Sequence, residues 1–145
     1  MARLRDVLDE RTEFGQRAAR RLHEEHLAWL TTVSPSGQPQ PVLVWFLWDG
    51  DSSVLLYSRP NTPKLRNIGE NPRVSLHLDG DGRGGNAVVC LGQARVSDDR
   101  PANEVSDYVE KYRSLIVDRN RWTPESFAAD YSVPMRISVS RIRGH

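Results

Sequence analysis

At residues 54–73 the chain reads VLLYSRPNTPKLRNIGENPR, in which an apolar β-strand sequence runs directly into a short helical one. The first turn of a helix carries backbone N–H groups without partners and the positive end of the helix dipole, so a strand-to-helix corner attracts anions. Ser58, Thr62 and Lys64 add side-chain donors after the strand ends at Tyr57. The corner therefore predicts a site for a phosphate or carboxylate, with a solvated basic turn as the alternative.

β-Strand and turn patterns alternate on both sides of this corner. The run from Gln40 to Trp48 is almost wholly apolar, as expected of a strand covered on both faces. Asp49-Gly50 is typical of a hairpin, and Gly92 predicts a bulge or close approach within its strand. The predicted strands are Leu27–Val33, Gln40–Trp48, Val54–Tyr57, Arg73–Asp79, Ala87–Val96 and Met135–Ile142. Six short antiparallel strands predict a mainly β protein built as a small barrel with flanking helices.

Helical patterns flank the strands. Thr12 is placed to cap a helix that runs to about His26, which gives an N-terminal helical arm over residues 1–26. Pro101 announces a second helix, and Thr123 caps a last short one. The apolar stripe of the second helix is Val105, Tyr108, Val109, Tyr112, Leu115 and Ile116. The 145 residues are enough for one domain, which we expect to span 1–145.

Charge and composition exclude several classes of partner. There are 20 Lys and Arg against 19 Asp and Glu, so the net charge of +1 gives no drive toward nucleic acid or a membrane surface. The single cysteine, Cys90, lies in an apolar run and reads as a core residue. A chain without a possible internal disulfide suits a reducing compartment, and no apolar run reaches membrane-spanning length. We therefore expect a cytoplasmic protein.

The residues form no catalytic constellation of their own. No Ser or Cys has a recognisable base, and His23 and His26, three apart on a predicted helix, would need further ligands to bind a metal. We therefore expect no catalytic side chain and no metal site, and if the protein is an enzyme a cofactor supplies the chemistry. Trp45 and Trp48 are three apart on one predicted strand, so one of them is expected to meet a ligand, a helix or a second subunit.

The order and spacing of these motifs resemble those of the pyridoxamine-phosphate-oxidase-like flavin and deazaflavin proteins, which have the FMN-binding split β-barrel fold. The resemblance is closest to the branch assigned as F420-dependent enzymes, F420 being a 5-deazaflavin coenzyme. It is carried by Leu27–Val33, Pro35–Pro39, Pro41–Phe46, Tyr57-Ser58, Lys64–Asn67, Asn71–Val74 and Gly92–Val96.

The resemblance implies a homodimer with two cofactor sites at the subunit interface. It implies an oxidoreductase that moves a hydride between reduced deazaflavin and a small conjugated substrate. The strand Val42–Phe46 would line the tricyclic ring, chiefly through Val44 and Trp45, and the corner would hold the phosphate. The residues that match the cofactor motif are Val44, Trp45, Tyr57, Ser58, Thr62, Lys64 and Asn67, with Arg59 and Arg66 as additions.

Two alternatives stay open. The same corner would suit FMN, although the basic residues that the pyridoxamine phosphate oxidase itself carries on its second strand are absent from Val42–Phe46. Vitamin B6 oxidation is therefore not expected. The other alternative is a protein of this fold that binds a flavin or haem without turnover, for which His77 is the candidate axial ligand.

Overall fold

The structure is a computed structural model that describes residues 7–145. Residues 1–6 of the predicted helical arm lie outside the described residues. The helices are α1 (Glu13–Glu24), α2 (Pro63–Glu70), α3 (Ser106–Arg113) and α4 (Pro124–Asp130). A 3-10 turn (Ala102–Glu104) precedes α3, and a π-helix (Ser114–Arg119) follows it. The strands are β1 (Ala28–Val33), β2 (Pro39–Val44), β3 (Leu47–Trp48), β4 (Ser53–Ser58), β5 (Arg73–His77), β6 (Val88–Val96) and β7 (Val133–Gly144).

The strands form one antiparallel sheet in the order β2-β1-β5-β6-β7-β4-β3. β2 and β3 are therefore the two edges of the sheet, yet only Trp45 and Phe46 separate them in the chain. Three Cα–Cα steps span about 11 Å at most, so the two edges must meet. The sheet consequently curls on itself, and the predicted split-barrel architecture is confirmed, with seven strands where the sequence predicted six.

The extra strand arises because the predicted strand over residues 40–48 is two strands, broken at Trp45 and Phe46. The expectation that this run is covered on both faces is wrong for its first half. Residues 39–43 are all exposed, with Val42 at 37% and Leu43 at 47%. The physical reason is that β2 is an edge strand, which pairs with β1 on one side and has no neighbouring strand on the other among the described residues. An apolar sequence alone does not show what covers it.

Local signals predicted the remaining elements well. The Thr12 side chain accepts a hydrogen bond from the Gly15 backbone nitrogen and so caps α1, and Thr123 forms a capping box with Ser126 at α4. A register shift lies between Leu91 and Gly92, as a bulge requires. The buried side chains fall into one cluster inside the barrel and a second one between the barrel wall and α3 and α4.

Candidate functional site

The predicted anion corner lies where β4 ends and α2 begins. The Ser58 hydroxyl is 2.9 Å from the Thr62 hydroxyl and donates to the Arg59 carbonyl oxygen at 2.7 Å. Thr62 is the N-cap residue of α2, but its side chain makes no capping hydrogen bond. The backbone N–H groups of the first turn are therefore not capped by Thr62, and Pro63 carries none.

Lys64 is the charged group of this corner. Its side chain is half-buried, and burial lowers its pKa because desolvation disfavours the ammonium form. Within residues 7–145 the amine has neither a hydrogen-bond partner nor an ion-pair partner. A half-buried cation without a counter-charge attracts an anion. Lys64 lies between two cavities and lines both of them.

The first cavity is a groove of about 360 Å³ between β1, β2 and the start of α2. The buried Asn67 holds α2 against this groove, because its amide nitrogen donates to the Thr32 hydroxyl at 2.9 Å and to the Gln40 side-chain oxygen at 2.8 Å. Both amide hydrogens of Asn67 are therefore used within the protein. The residues that line the groove are Thr32, Gln40, Pro41, Val42, Thr62, Pro63 and Lys64.

The second cavity, which we call the aromatic pocket, has a volume of about 240 Å³ and opens between β2, β4, α3 and α4. Lys64 is its only charged lining residue within the described chain. The lining residues are Leu43, Val44, Trp45, Tyr57, Lys64, Tyr108, Asn120, Trp122, Phe127 and Tyr131. Apolar rings beside one cation suit a flat ligand that is neutral or anionic.

Trp45 is held in a column of rings at one wall of the aromatic pocket. It stacks on Tyr112 at 4.7 Å with an interplanar angle of 6°, and on Phe127 at 5.2 Å and 19°. Phe127 in turn stacks on Tyr131 at 4.7 Å, and the Arg59 guanidinium lies over the outer face of that ring. Trp48 instead lies in the cluster inside the barrel. The expectation that one of the two tryptophans meets a helix is therefore confirmed for Trp45.

α3 supports the break between β2 and β3 with two polar side chains. The Tyr112 hydroxyl accepts a hydrogen bond from the Phe46 backbone nitrogen at 2.7 Å and lies 2.8 Å from the His26 carbonyl oxygen. The Lys111 amine donates to the Phe46 carbonyl oxygen at 2.8 Å, and burial lowers its pKa to about 8. These contacts replace the strand pairing that Phe46 lacks.

The free edge of β2 offers few backbone donors. Pro39 and Pro41 have no N–H group, so they cannot donate to β1 and must lie in non-hydrogen-bonded pairs with Val33 and Thr31. Hydrogen-bonded and non-hydrogen-bonded pairs alternate along an antiparallel ladder, so the pair of Leu43 with Trp29 is also non-hydrogen-bonded. The backbone N–H and C=O groups of Leu43 are therefore directed to the free edge. The first backbone donor at this edge therefore lies where the aromatic pocket begins.

The structure brings most of the predicted cofactor residues together. Val44, Trp45, Tyr57 and Lys64 share the aromatic pocket, Thr62 shares the groove with Lys64, and Ser58 and Asn67 are buried behind them.

The two predicted additions have other contacts. The Arg59 side chain pairs with Asp130 at 2.8 Å, and the Arg66 side chain donates to the Asn61 carbonyl oxygen at 2.7 Å.

Sequence reasoning did not assign the other walls of the two cavities. In the sequence, Tyr108 has the pattern of an apolar helix stripe, and no motif marks Thr32 or Gln40. The sequence does contain a signal for this wall of the pocket. More aromatic residues follow position 107 than one short helix can bury, which indicates that some of them line a cavity. The unassigned ring residues are Tyr108, Trp122, Phe127 and Tyr131.

Other candidates lie away from these cavities. His77 is half-buried on β5, its Nδ1 atom is 3.2 Å from the Leu78 carbonyl oxygen, and it lines neither the groove nor the aromatic pocket. Across residues 7–145, no three His, Cys, Asp or Glu side chains are grouped as a metal site requires. No helix in that range combines the length and apolar character needed to cross a membrane.

One protein-family model matches most of this chain. The sequence model described as pyridoxamine 5'-phosphate oxidase matches residues 14–145. No curated protein matches the chain.

Solved structures share the fold. A conserved hypothetical protein from Mycobacterium tuberculosis is 26% identical, with a TM-score of 0.69 over 99% of this chain and 88% of that one. An F420 reductase is 25% identical, with a TM-score of 0.60 over 84% of this chain and 93% of that one. A FAD-binding protein from Mesorhizobium loti, at 23% identity and a TM-score of 0.62 over 88% and 90%, shows likeness of fold alone.

Proposed function

The chain belongs to the pyridoxamine 5'-phosphate oxidase family, and from this premise we propose that it is an oxidoreductase that uses coenzyme F420. It would transfer a hydride between the reduced deazaflavin and a small conjugated substrate. The observation that carries the proposal is the half-buried, unpaired amine of Lys64 at the start of α2, between a groove and an aromatic pocket.

The residues present fit a phosphorylated flat ring. Lys64 and the uncapped first turn of α2 supply charge and N–H groups for a phosphate. The free edge at Leu43, with its N–H and C=O beside the Val44 and Trp45 wall, suits the polar edge of a heterocycle. When bound, the deazaflavin would supply the hydride. The side chains of this chain would bind it, orient it and limit its contact with water.

Two observations favour F420 over FMN. β2 carries no Lys or Arg over Pro39–Val44, so within the described chain Lys64 is the cation that lines the groove and the aromatic pocket. The F420 reductase is also similar across most of both chains. FMN is the second candidate, because the same corner fits its phosphate.

We also propose that the working unit is a homodimer with the cofactor near the interface. β2 is exposed over residues 39–43 although it carries Val42 and Leu43, and Leu27 before β1 is 48% exposed. A second copy that covers this edge would remove the apolar side chains from water. Sedimentation equilibrium should give the mass of two chains, and Leu27→Glu should shift the protein toward monomer. A monomer at micromolar concentration would contradict the dimer.

The cofactor is tested by titrating the purified protein with F420 and with FMN and measuring heat of binding. We expect tighter binding of F420. Lys64→Ala should weaken it by about 1.5–3 kcal/mol, the value of a hydrogen bond to a charged group. Arg20→Ala, an exposed cation on α1, is the matched control and should bind as the wild type does.

The other results of this titration would change or reject the proposed cofactor. Preferential FMN binding would assign the protein to flavin chemistry. Unchanged affinity in Lys64→Ala would remove the phosphate from this corner. If neither cofactor binds, the oxidoreductase proposal fails.

A further inference from the structure

Lysine is rare in this chain, although basic residues are common. Of the 20 Lys and Arg residues only Lys64 and Lys111 are lysines, and both are half-buried on the wall of a cavity. Lys64 belongs to the proposed cofactor site, whereas Lys111 lines neither the groove nor the aromatic pocket. A buried amine loses its proton far more readily than a guanidinium does, and the free amine is a nucleophile. The cavity beside Lys111 is therefore a separate candidate site.

This cavity, which we call the lysine pocket, has a volume of about 260 Å³ and lies between α1, β3 and α3. Sites of drug-sized ligands usually have about 300–1,000 Å³, so the lysine pocket suits a ligand of one ring at most. One part of its wall is apolar and comes from β3, and the rest consists of ionisable side chains from the two helices. The lining residues are His23, Leu47, Trp48, Asp107, Glu110 and Lys111.

The Lys111 amine is held where the chain passes from β2 to β3. It donates to the Phe46 carbonyl oxygen at 2.8 Å and lies 3.9 Å from the centre of the Phe46 ring. Within residues 7–145 it forms no ion pair. Burial lowers the pKa of this amine to about 8, although attraction to Glu25 partly opposes the shift. At pH 7.4 about a fifth of the molecules then carry the free amine, against about one in a thousand for an ordinary lysine.

The surroundings of the amine favour a product that keeps the positive charge. The carboxylates of Glu25, Asp107 and Glu110 attract a cation, and so do the carbonyl oxygen and the ring face of Phe46. An acyl or carbamate adduct would remove the charge from the nitrogen. An iminium ion keeps the charge and also keeps one N–H group for the Phe46 carbonyl oxygen. Aldehydes are the compounds that convert an amine into such an ion.

We propose that the lysine pocket binds a small uncharged aldehyde, which the Lys111 amine holds as a protonated Schiff base. The ammonium group first gives up a proton, and the free amine adds to the carbonyl carbon. A C–N bond forms, and a proton moves from the nitrogen to the former carbonyl oxygen. The proton given up at the start returns to the resulting hydroxyl group, the C–O bond breaks and water leaves. One ammonium ion and one aldehyde thus become one iminium ion and one water, with no oxidation or reduction.

The test exposes the full chain to an equal mixture of benzaldehyde and 4-formylbenzoate and reduces the adducts with cyanoborohydride. Mass spectrometry of the peptides gives the ratio of the two adducts at each lysine. Carboxylates line the lysine pocket, whereas within the described chain none lines the aromatic pocket or the groove beside Lys64. The preference for uncharged benzaldehyde should therefore be about tenfold greater at Lys111 than at Lys64. Comparing two lysines in one sample cancels the intrinsic reactivity of the aldehydes.

The double variant Asp107→Asn, Glu110→Gln tests the charge of the pocket directly. Both side chains are exposed, so its thermal unfolding should match that of the wild type. The aldehyde preference at Lys111 should fall toward that at Lys64. No adduct at Lys111, equal aldehyde ratios at the two lysines, or an unchanged preference in the double variant would each overturn the inference. The experiment contains no F420, so its result is independent of the proposed cofactor.

Discussion

The Tyr112 hydroxyl oxygen lies 2.7 Å from the backbone nitrogen of Phe46 and accepts its hydrogen bond at the point where the barrel closes. Phe46 lies between the two edge strands and has no ladder partner in the sheet. The same tyrosine ring stacks on Trp45, one residue earlier. A single side chain of α3 thus fixes both the backbone at the joint and the indole that lines the aromatic pocket.

Tyr112→Phe should destabilise the protein while keeping the ring stack. The change leaves the Phe46 N–H group without its acceptor and removes the hydroxyl beside the His26 carbonyl oxygen, at a cost of about 1–3 kcal/mol. Urea unfolding measures the loss. Tyr108→Phe on the same helix is the matched control, and its free energy of unfolding should stay within about 0.5 kcal/mol of the wild type. Equal losses in the two variants would contradict the assigned contacts.

Asn67→Ala should also lower the free energy of unfolding, by about 1–3 kcal/mol, because the buried Thr32 hydroxyl and the Gln40 amide lose their shared donor. Asn71→Ala, just beyond α2, removes only an exposed contact to the Arg73 backbone nitrogen and should cost less than about 0.5 kcal/mol.

F420 affinity adds a second measurement on Asn67→Ala. We expect it to fall less than in Lys64→Ala, since both amide hydrogens of Asn67 are used within the protein. A loss as large as that in Lys64→Ala would show that Asn67 contacts the cofactor directly.

Cofactor binding should weaken as the pH rises. An anionic phosphate binds the ammonium form of Lys64, and burial lowers the pKa of this amine below its usual value of 10.5. The affinity for F420 should therefore fall as the free protein loses this proton, beginning at a lower pH than an ordinary lysine with a pKa of 10.5 would give. Lys64→Ala should show a flat profile in the same titration. A parallel decline in both proteins would place the titrating group elsewhere.

Gly92→Ala tests the bulge in β6. An added Cβ atom would lie 2.2 Å from the Ser138 carbonyl oxygen, which belongs to the backbone of β7 and has no freedom to rotate away. We expect a loss of about 2 kcal/mol or more in the free energy of unfolding, measured in urea. Gly69→Ala is the matched control in α2, where no atom lies within 4 Å of the new methyl group. It should gain up to about 1 kcal/mol from helix propensity. Tolerance of Gly92→Ala would contradict the close approach.

Signals that act within a few residues were enough to predict much of this protein. Caps at Thr12 and Thr123, the turn at Asp49-Gly50 and the alternation of β5 all depend on short-range backbone chemistry, which the sequence carries directly. The corner at Ser58, Thr62 and Lys64 could be predicted for the same reason, because a strand end, a cap position and a first helical turn are adjacent in the chain.

The break at Trp45, the exposure of β2 and the composition of the aromatic pocket were decided only by the tertiary structure. The sequence treats residues 40–48 as one covered strand, since hydrophobic periodicity does not show which strand is an edge. The break becomes necessary only when two edges of a curled sheet meet, and α3 then supplies Tyr112 to satisfy the backbone there. In the same way Tyr108 has the pattern of a core residue, and only the packing of α3, α4 and the π-helix around a cavity leaves its hydroxyl without a partner in the described chain. Local propensity fixed the elements, while the closure of the sheet and the packing of distant helices decided which side chains face a ligand.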